Sequence, residues 1–519
     1  MARRSLIKAL VALATLGLIA LALSRLLAPM ADLQITTTTV ERTPVTVYSP
    51  ADATDAPVVV VAHGFAGSRQ LMQALAVSLA RNGYAAVTYD ALGHGRQPDP
   101  LGGELTVETG ATVFLVNQLD GIVEYARTLT PGGDDPVALL GHSMAADIIV
   151  RQAVSDPDAY AATVAISMYS PAVTATAPRN MLVMVGGLEP WVHHNEAQRV
   201  ASLPLDGATA EPGETYGDFA DGSARAWRIS PGVEHIGVLY SKDTILAAVD
   251  WLNHAFGRAD APVEPPQARG SWILILLLAV VVLAWPASAL LPRVAEAPVG
   301  AALPWRRVRP LVIWPALITP VLLAPLPTDW LPVLVGDYLL LHFALYGLLT
   351  GLGLWWIRRR WPEEPPPTHP PTRWGRLALA TVLLSAFVMI GLGTPIELFV
   401  SSFIPTPERL LLVPVMMLGT LPFFLVDEWV TRGPTRPRWG YAATSVAFML
   451  SLVPAIILKL HDLFFLIILY PIIALFFVIF GLFSAWSWRR THHPWVAAIT
   501  SAFVFAWCVA VTFPITTGG

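Results

Sequence analysis

The chain has 519 residues, of which 54% are hydrophobic and only 13% are charged. Soluble proteins carry about a quarter charged residues, so this composition excludes a wholly soluble protein. The length predicts two or more domains, and the composition places one of them in lipid. A net charge of -4 offers no basic field to a phosphate backbone, which excludes a nucleic-acid partner, and the single cysteine, Cys508, excludes an intrachain disulfide framework.

The first predicted element is an apolar segment from Ala9 to Leu27, which follows a basic N-terminus. Its length is close to the roughly 20 residues needed to cross a bilayer. The best candidate signal-peptidase site ends at Ala31 and would place Pro29 at the third position back, which disfavours cleavage. We therefore expect residues 1–32 to form a transmembrane anchor with a cytoplasmic N-terminus.

Residues 33–256 predict a soluble α/β domain, because short β-branched runs such as Val58–Ala62 alternate with helical stretches such as Leu71–Arg81. Three motifs follow one another within it. They are Val58-Val-Val-Val-Ala-His-Gly-Phe-Ala-Gly67, Tyr84-Ala-Ala-Val-Thr-Tyr-Asp-Ala-Leu-Gly-His-Gly95 and Val137-Ala-Leu-Leu-Gly-His-Ser-Met-Ala-Ala146. In this order and spacing they resemble the α/β-hydrolase superfamily, most closely its esterases, lipases and serine aminopeptidase-like members.

The resemblance implies a mostly parallel, doubly wound sheet with Ser143 as the nucleophile at a sharp strand-to-helix turn. The backbone N–H groups of Phe65 and Met144 would then donate to the oxyanion. The final glycine usual in the motif is Ala145 here, a small replacement. His63 and His94 are open to a catalytic reading, but we expect them to brace the loops around the site.

A nucleophilic serine needs a base and an acid that orients the base, and in this superfamily the chain order is Ser, acid, His. His235 follows the predicted last strand, Trp227–Ile229, and is the expected base. The competing histidines lie too early in the chain or late in the terminal helix; they are His193, His194 and His254.

Glu189 is the expected acid, because it follows the predicted strand Met181–Gly186 at the place where the resemblance implies an acidic residue. Asp218 and Asp221 are alternatives nearer to His235 in sequence. The short stretch from Ser170 to Asn180 leaves little room for a large cap, so an open pocket is expected. A cap could instead come from residues 191–226, whose predicted substrate-binding side chains are Trp191, His193, His194 and Tyr216.

A Pro-rich linker at 257–270 leads to a predicted all-α transmembrane bundle of about eight helices at 271–519. Its apolar segments fall at 271–291, 311–327, 331–357, 376–393, 410–430, 439–458, 462–485 and 495–513. The second segment is interrupted by prolines and could be re-entrant. Arginines concentrate in alternate loops, at 293–309, 358–376, 432–438 and 489–490. The positive-inside rule makes these loops cytoplasmic, which predicts an extracytoplasmic hydrolase domain in a multi-pass cell-membrane protein.

These observations predict a membrane-embedded serine hydrolase that cleaves lipid-like or other hydrophobic esters through an acyl-enzyme. A serine peptidase or amidase is the nearest alternative, and a transporter or lipid-handling protein with a regulatory or inactive hydrolase domain is another. The expected partners are a small-molecule or lipid ester and the lipid bilayer. No metal site and no cofactor are expected, since the triad chemistry needs neither.

Overall fold

The computed structural model describes residues 2–52, 55–104, 109–130, 132–133, 135–362, 369–435 and 437–517. Arg436 and residues 363–368 of the predicted basic loops lie outside the described residues. The described chain folds as one sheet flanked by helices, followed by a bundle of long apolar helices.

A nine-stranded sheet organises the first half of the chain, in the order β1-β2-β4-β3-β5-β6-β7-β9-β8. The strands are β1 Leu33–Val40, β2 Thr43–Pro50, β3 Val58–Ala62, β4 Ala85–Tyr89, β5 Val137–His142, β6 Tyr160–Ile166, β7 Met181–Gly186, β8 Thr215–Tyr216 and β9 Arg225–Ser230. The pairs from β4 through β3, β5, β6 and β7 to β9 are parallel, while β1, β2 and β8 pair antiparallel at the edges. The predicted mostly parallel α/β-hydrolase sheet is thereby confirmed.

Helices cover both faces of this sheet, because the buried strands are apolar on both sides. The helices are α2 Gln73–Arg81, α3 Ala111–Arg127, α4 Met144–Ser155, α5 Trp191–Ser202 and α6 Lys242–Ala255. Alternate residues of β3 point to opposite faces: Val59 and Val61 pack with α2 and α6, whereas Val58 and Val60 pack with α3 and α4. The sheet is therefore doubly wound, and the carboxyl ends of its parallel strands meet at one edge.

Most of the remaining helices are long and apolar. The full set is α1 Ala2–Leu27, α7 Gly270–Ala287, α8 Trp305–Leu323, α9 Gly336–Arg360, α10 Trp374–Gly391, α11 Gly393–Phe399, α12 Pro407–Thr431, α13 Gly440–Leu458, α14 Leu460–Leu463, α15 Leu466–Thr491 and α16 Trp495–Thr512. Two of them, α11 and α14, are short. Among the described residues, eight helical segments are long and apolar enough to cross a membrane, including Ser5–Met30 at the N-terminus.

Helix α8 corresponds to the predicted segment 311–327 but is not one of those eight. It begins earlier than predicted, at Trp305, and so takes in Arg306, Arg307 and Arg309. These charges and three internal prolines reduce its apolar character, although the helix itself is formed over 19 residues. The bundle thus has seven candidate spans plus this Pro-containing helix, instead of eight equivalent spans.

The bundle core is built by close packing of α9 against α12. A Cβ added to Gly347 would lie 2.7 Å from the Cα of Phe423, and one added to Gly419 would lie 2.3 Å from the carbonyl oxygen of Leu340. Small residues at these two positions let the backbones approach, as is usual between membrane helices. Rings from α9, α12, α13 and α16 fill the space beside them.

Candidate active site

Ser143 lies at the sharp junction between β5 and α4, at the carboxyl edge of the sheet. Its φ of 55° is in the left-handed region, a conformation that costs a non-glycine residue about 1–3 kcal/mol. A Cβ at Gly141 would lie 2.7 Å from the carbonyl oxygen of Ala145, so the turn tolerates only a glycine at that position. Ala145, which takes the place of the usual glycine, is itself buried.

Ser143, His235 and Glu189 form a continuous hydrogen-bonded chain. The Nε2 atom of His235 lies 2.9 Å from the Oγ of Ser143. The Nδ1 atom of the same ring lies 2.5 Å from Oε1 of Glu189. A carboxylate only accepts, so Nδ1 carries the proton and Nε2 is left as the acceptor that faces the serine hydroxyl.

The second oxygen of Glu189 is held by two further donors. The Gly186 N–H donates to Oε2 at 2.6 Å, and the Ser167 hydroxyl donates to it at 2.8 Å. Burial by itself raises the pKa of Glu189, but the hydrogen bonds from His235, Gly186 and Ser167 outweigh burial and keep that pKa below its usual value. Glu189 is therefore a fixed anion, suited to orienting an imidazole.

The Phe65 loop approaches Ser143 closely. It is a turn closed by the Gly67 N–H, which donates to the Gly64 carbonyl at 3.1 Å, with Ala66 at a φ of 56°. A Cβ at Gly64 would lie 3.0 Å from the Cβ of Ser143. No acceptor for the N–H of Phe65 or of Met144 occurs within the described part of the chain. Both donors are thus available to an oxyanion, and Met144 also begins helix α4, whose N-terminus favours negative charge.

His63 and His94 brace the loops, as expected from the sequence. The Nδ1–H of His63 donates to the Gly64 carbonyl at 2.8 Å, and its Nε2 accepts from the Ala91 N–H at 3.0 Å. The Nδ1–H of His94 donates to the Leu92 carbonyl at 2.8 Å. Burial lowers the pKa of both rings, that of His94 to about 3, so both are neutral at physiological pH.

His142 is a site residue that sequence reasoning missed. It is buried beside the nucleophile, and its Nε2–H donates to the carbonyl oxygen of His235 at 2.8 Å. Burial lowers its pKa to about 3, so the ring stays neutral. This hydrogen bond connects the loop that carries His235 to the end of strand β5, next to Ser143. Its place directly before the serine, at the end of a buried strand, was the signal that could have identified it.

The predicted substrate-binding residues fall into two groups. His193 lies beside the triad, with its ring centroid 5.3 Å from that of His235, and half-buried His194 follows it on α5. Trp191 begins α5 and is 74% exposed. Tyr216, however, pairs with Arg225 at the amino end of β9, the opposite edge of the sheet, and its hydroxyl accepts from the Glu211 N–H. The structure does not bring Tyr216 to the site.

The alternative acids and the remaining alternative base also lie elsewhere. Asp218 accepts from the Ala220 N–H and Asp221 from the Ser223 N–H, so both carboxylates stabilise the turn before β9. His254 is exposed near the end of α6.

Glu189, His193 and His235 place ligand atoms within 4.8 Å of one another, which is the spacing of a metal site. The Nδ1–H of His235 is already donated to Glu189, so a cation bound there would have to replace that hydrogen bond. The arrangement of these residues around Ser143 fits acyl transfer better than metal binding.

Large apolar side chains are exposed around the same edge of the sheet. We call this set the apolar rim; it consists of Tyr169, Leu188, Trp191, Val192 and Ile236. They follow β6, β7 and β9, next to the triad loops. Exposed apolar groups gathered at one place indicate a binding surface for a ligand, protein or membrane.

Comparison with known proteins agrees with this fold. Residues 53–203, under a third of the chain, match the family model described as Serine aminopeptidase, S33. The protein named Putative carbamate hydrolase RutD, from Enterobacter cloacae subsp. cloacae, is 31% identical over 162 residues. That match covers 30% of this chain and 55% of the relative, so the chain spans about half of the relative's length.

Solved structures of hydrolases also align with the first half of the chain. A CIB-like hydrolase from Thermoplasma acidophilum is 16% identical, with a TM-score of 0.32, covering 42% of this chain and 97% of its own. A protein of unknown function from Agrobacterium tumefaciens, described as an alpha/beta hydrolase, is 16% identical with a TM-score of 0.33, covering 45% and 100%.

Proposed function

We propose that this protein is a membrane-embedded serine hydrolase that cleaves hydrophobic esters through an acyl-enzyme. The observation that carries the proposal is the hydrogen-bonded chain from Ser143 through His235 to Glu189, next to two N–H donors without acceptors among the described residues. Hydrolase chemistry also agrees with the family-model match over residues 53–203.

In the proposed mechanism the Ser143 Oγ attacks the ester carbonyl carbon while Nε2 of His235 takes the hydroxyl proton. Negative charge develops on the carbonyl oxygen and is stabilised by the N–H groups of Phe65 and Met144. Imidazolium then returns the proton to the leaving alcohol as the ester C–O bond breaks. A water molecule, deprotonated by the same Nε2, attacks the acyl carbonyl. The bond to Ser143 Oγ then breaks, imidazolium returns the proton to that oxygen, and the acid is released.

Glu189 favours these reaction steps in two ways. It fixes the ring with Nε2 toward Ser143, and its negative charge stabilises the imidazolium that forms during attack. The carboxylate stays ionised throughout, because three donors surround its two oxygens.

The preference for hydrophobic substrates is supported by the apolar rim and by the fused bundle. The stretch between β6 and β7 is short, so no large insertion covers the rim from that side. An acyl chain bound along the rim would be removed from water, which stabilises binding by about 0.8 kcal/mol per CH₂ group. The kcat/KM for ester hydrolysis should therefore rise as the acyl chain lengthens.

A serine amidase or peptidase is the second candidate. The family model is described as a serine aminopeptidase, and the curated relative carries the name of a carbamate hydrolase. The same triad serves C–N bonds, provided that imidazolium protonates the leaving nitrogen.

The test is hydrolysis of p-nitrophenyl esters of increasing chain length by the full-length protein in detergent, with aminoacyl p-nitroanilides as a parallel panel. Wild type should hydrolyse the esters, and Ser143→Ala should lose at least 10³-fold in kcat. Ser155→Ala, at the far end of the same helix, is the matched control and should leave turnover unchanged. Turnover of the anilides alone would indicate a serine amidase or peptidase instead of an esterase. Absent turnover on both panels would count against a hydrolase.

We also propose that the hydrolase domain faces the extracytoplasmic side and the N-terminus the cytoplasm. The alternation of arginine-rich and arginine-poor loops along the bundle supports this orientation.

A further inference from the structure

The loop that carries Phe65 is packed directly against the membrane bundle. The Phe65 ring stacks on that of Phe465, with centroids 4.0 Å apart and an interplanar angle of 23°. Phe465 lies between α14 and α15, about 400 positions later in the chain. Ala66, the next residue of the loop, packs against the hydrophobic core of the bundle. One proposed oxyanion donor is therefore in contact with a residue of the membrane part.

The chain just after Phe65 is held by a second segment of the bundle, residues 397–402. The Ser402 N–H donates to the hydroxyl of Ser68 at 3.0 Å, and the Ser402 hydroxyl donates to Oε1 of Gln70 at 3.1 Å. The Gln70 amide donates to Oε1 of Glu397 at 3.2 Å. Three hydrogen bonds thus fix positions only three and five residues beyond Phe65.

Glu397 is the centre of this second contact. Its Oε1 also accepts from the Arg96 guanidinium at 2.5 Å, and its Oε2 accepts from the N–H groups of Phe403 and Ile404 at 2.6 and 2.8 Å. The side chain is only 13% exposed, so these charge-assisted bonds are poorly screened. Glu397 therefore connects the end of α11 rigidly to two loops of the hydrolase domain.

Arg409 makes a third connection, to Gly93 in the loop that also carries Arg96. Its side chain is fully buried and donates to the carbonyls of Ala510 and Phe513 at 2.7 and 2.9 Å, and also to that of Gly93. The Ile515 N–H donates to the same Gly93 carbonyl at 2.9 Å. The two parts of the chain are consequently joined by a directional polar network in addition to apolar contact.

The backbone of the Phe65 turn makes few hydrogen bonds within the turn itself. One backbone hydrogen bond closes it, and Ala66 adopts a left-handed φ that an isolated chain would avoid. Contacts that offset this strain come from two sides. In the hydrolase domain, His63 donates to the Gly64 carbonyl and the Phe65 ring packs edge-on against His94; from the bundle, Phe465 stacks on the same ring. The bundle therefore supplies one of the contacts that hold the Phe65 turn.

We propose that the membrane bundle, through Phe465 and Glu397, positions the Phe65 N–H in the oxyanion hole, so that the bundle is part of the catalytic machinery. Phe465 and Glu397 are positioning residues in this arrangement, since neither touches the reacting atoms. The inference rests on the proposed serine-hydrolase function. It predicts that losing the ring of Phe465 slows acyl transfer without altering the Ser143–His235–Glu189 chain.

The test uses the full-length protein and a short, soluble ester, p-nitrophenyl acetate, so that membrane partitioning of substrate does not enter. Phe465→Ala should lower kcat about 10- to 100-fold with little change in KM, because a donor misplaced by about 1 Å loses most of its effect on the transition state. The pH profile of kcat/KM should keep the wild-type midpoint. Phe465→Tyr retains the ring and should restore most of kcat, and Leu460→Ala, at an exposed site in the neighbouring helix α14, should match wild type.

Hydrogen–deuterium exchange of the peptide covering residues 63–72 supplies a readout that needs no turnover. Faster exchange there in Phe465→Ala, with unchanged exchange around Ser143, is expected. Wild-type kcat and unchanged exchange in a folded Phe465→Ala protein would overturn the inference while leaving the hydrolase intact. Absent turnover in wild type would instead count against the proposed function, and the exchange result would still decide whether the bundle holds the loop.

Discussion

Glu189 is a residue whose two carboxylate oxygens face donors of different kinds. Oε2 accepts from the backbone N–H of Gly186, which cannot rotate away, while Oε1 accepts from His235. In Glu189→Gln the amide oxygen must therefore occupy the Oε2 position, and the amide NH₂ must face Nδ1 of His235. This pairing forces the proton of the imidazole onto Nε2, where the ring can no longer accept a proton from Ser143.

We accordingly expect Glu189→Gln to lower kcat by about 10³-fold or more while KM changes little. Ser167→Ala removes only one donor to the same carboxylate and should lower kcat less than tenfold. The measurement is steady-state hydrolysis of the best p-nitrophenyl ester. Near-normal turnover in Glu189→Gln would assign the acidic role to another residue.

The buried histidines make the hydrolase domain sensitive to acid. Burial lowers the pKa of His94 and His142 to about 3, whereas an unfolded chain titrates near its ordinary value of about 6.5. Above pH 6.5 both states are neutral and the rings contribute no pH dependence. Below it the unfolded state binds protons that the folded state rejects, so stability falls as pH decreases from 6.5 toward 3.

Each of these two rings should lower the free energy of unfolding by about 2 kcal/mol between pH 7.5 and pH 5. Thermal unfolding of the full-length protein over this pH range should show the decrease in stability. His94→Gln and His142→Gln should each make that decrease smaller. His254→Gln, at an exposed histidine, is the matched control for the substitution itself. Equal slopes in all variants would mean that the buried rings titrate alike in the folded and unfolded states.

At the scale of elements, the packing of α9 on α12 depends on single glycines. A Cβ at Gly347 would lie 2.7 Å from backbone atoms of Phe423, a contact that no rotamer change can relieve. One turn later on the same helix, a Cβ at Gly351 would lie 3.6 Å from a methyl group of Val426, an ordinary contact. The two positions therefore form a matched pair.

Gly347→Ala should destabilise the bundle by about 1–3 kcal/mol, whereas Gly351→Ala should be neutral or slightly stabilising because alanine is the better helix former. Thermal unfolding in detergent, followed by the helical circular dichroism signal, measures both. Equal stability of the two variants would show that α9 and α12 do not pack closely through Gly347.

The central strands and the loops after them could be predicted from the sequence because their signals are local. The run Val58–Ala62 forms a strand with the predicted bounds, and the residues that follow it reach the site. Tyr216 could not be placed correctly, since its position depends on pairing with Arg225 at the far end of β9. The start of α8 was also unpredictable, because Arg306, Arg307 and Arg309 look like loop residues until packing draws them into a helix.

At the scale of the whole molecule, the sequence indicated two parts but not how they meet. The contacts of Phe465 with Phe65 and of Glu397 with Gln70 join positions more than 300 residues apart, and no local pattern encodes such a pairing. Hydropathy and charge restrict only which side of the membrane each loop occupies. The contact of the Phe65 turn with the bundle was therefore visible only in three dimensions.

The proposed orientation makes a prediction about the two ends of the bundle helices. The described hydrolase loops contact Glu397, Ser402, Arg409, Phe465 and residues 515–517, which lie in or next to connections poor in arginine. Opposite them, Trp439 is 81% exposed in an arginine-rich connection. The first set should be extracytoplasmic and Trp439 cytoplasmic, because arginine-rich loops are retained inside.

Single-cysteine labelling can test this, because the chain has one cysteine, the buried Cys508, which Cys508→Ala removes. In that background, Asp260→Cys and Thr517→Cys, both at exposed sites, should react with a membrane-impermeant maleimide in intact cells. Trp439→Cys should react only after permeabilisation. The opposite pattern would place the triad in the cytoplasm, and an ester presented by the outer leaflet would then be unable to reach Ser143.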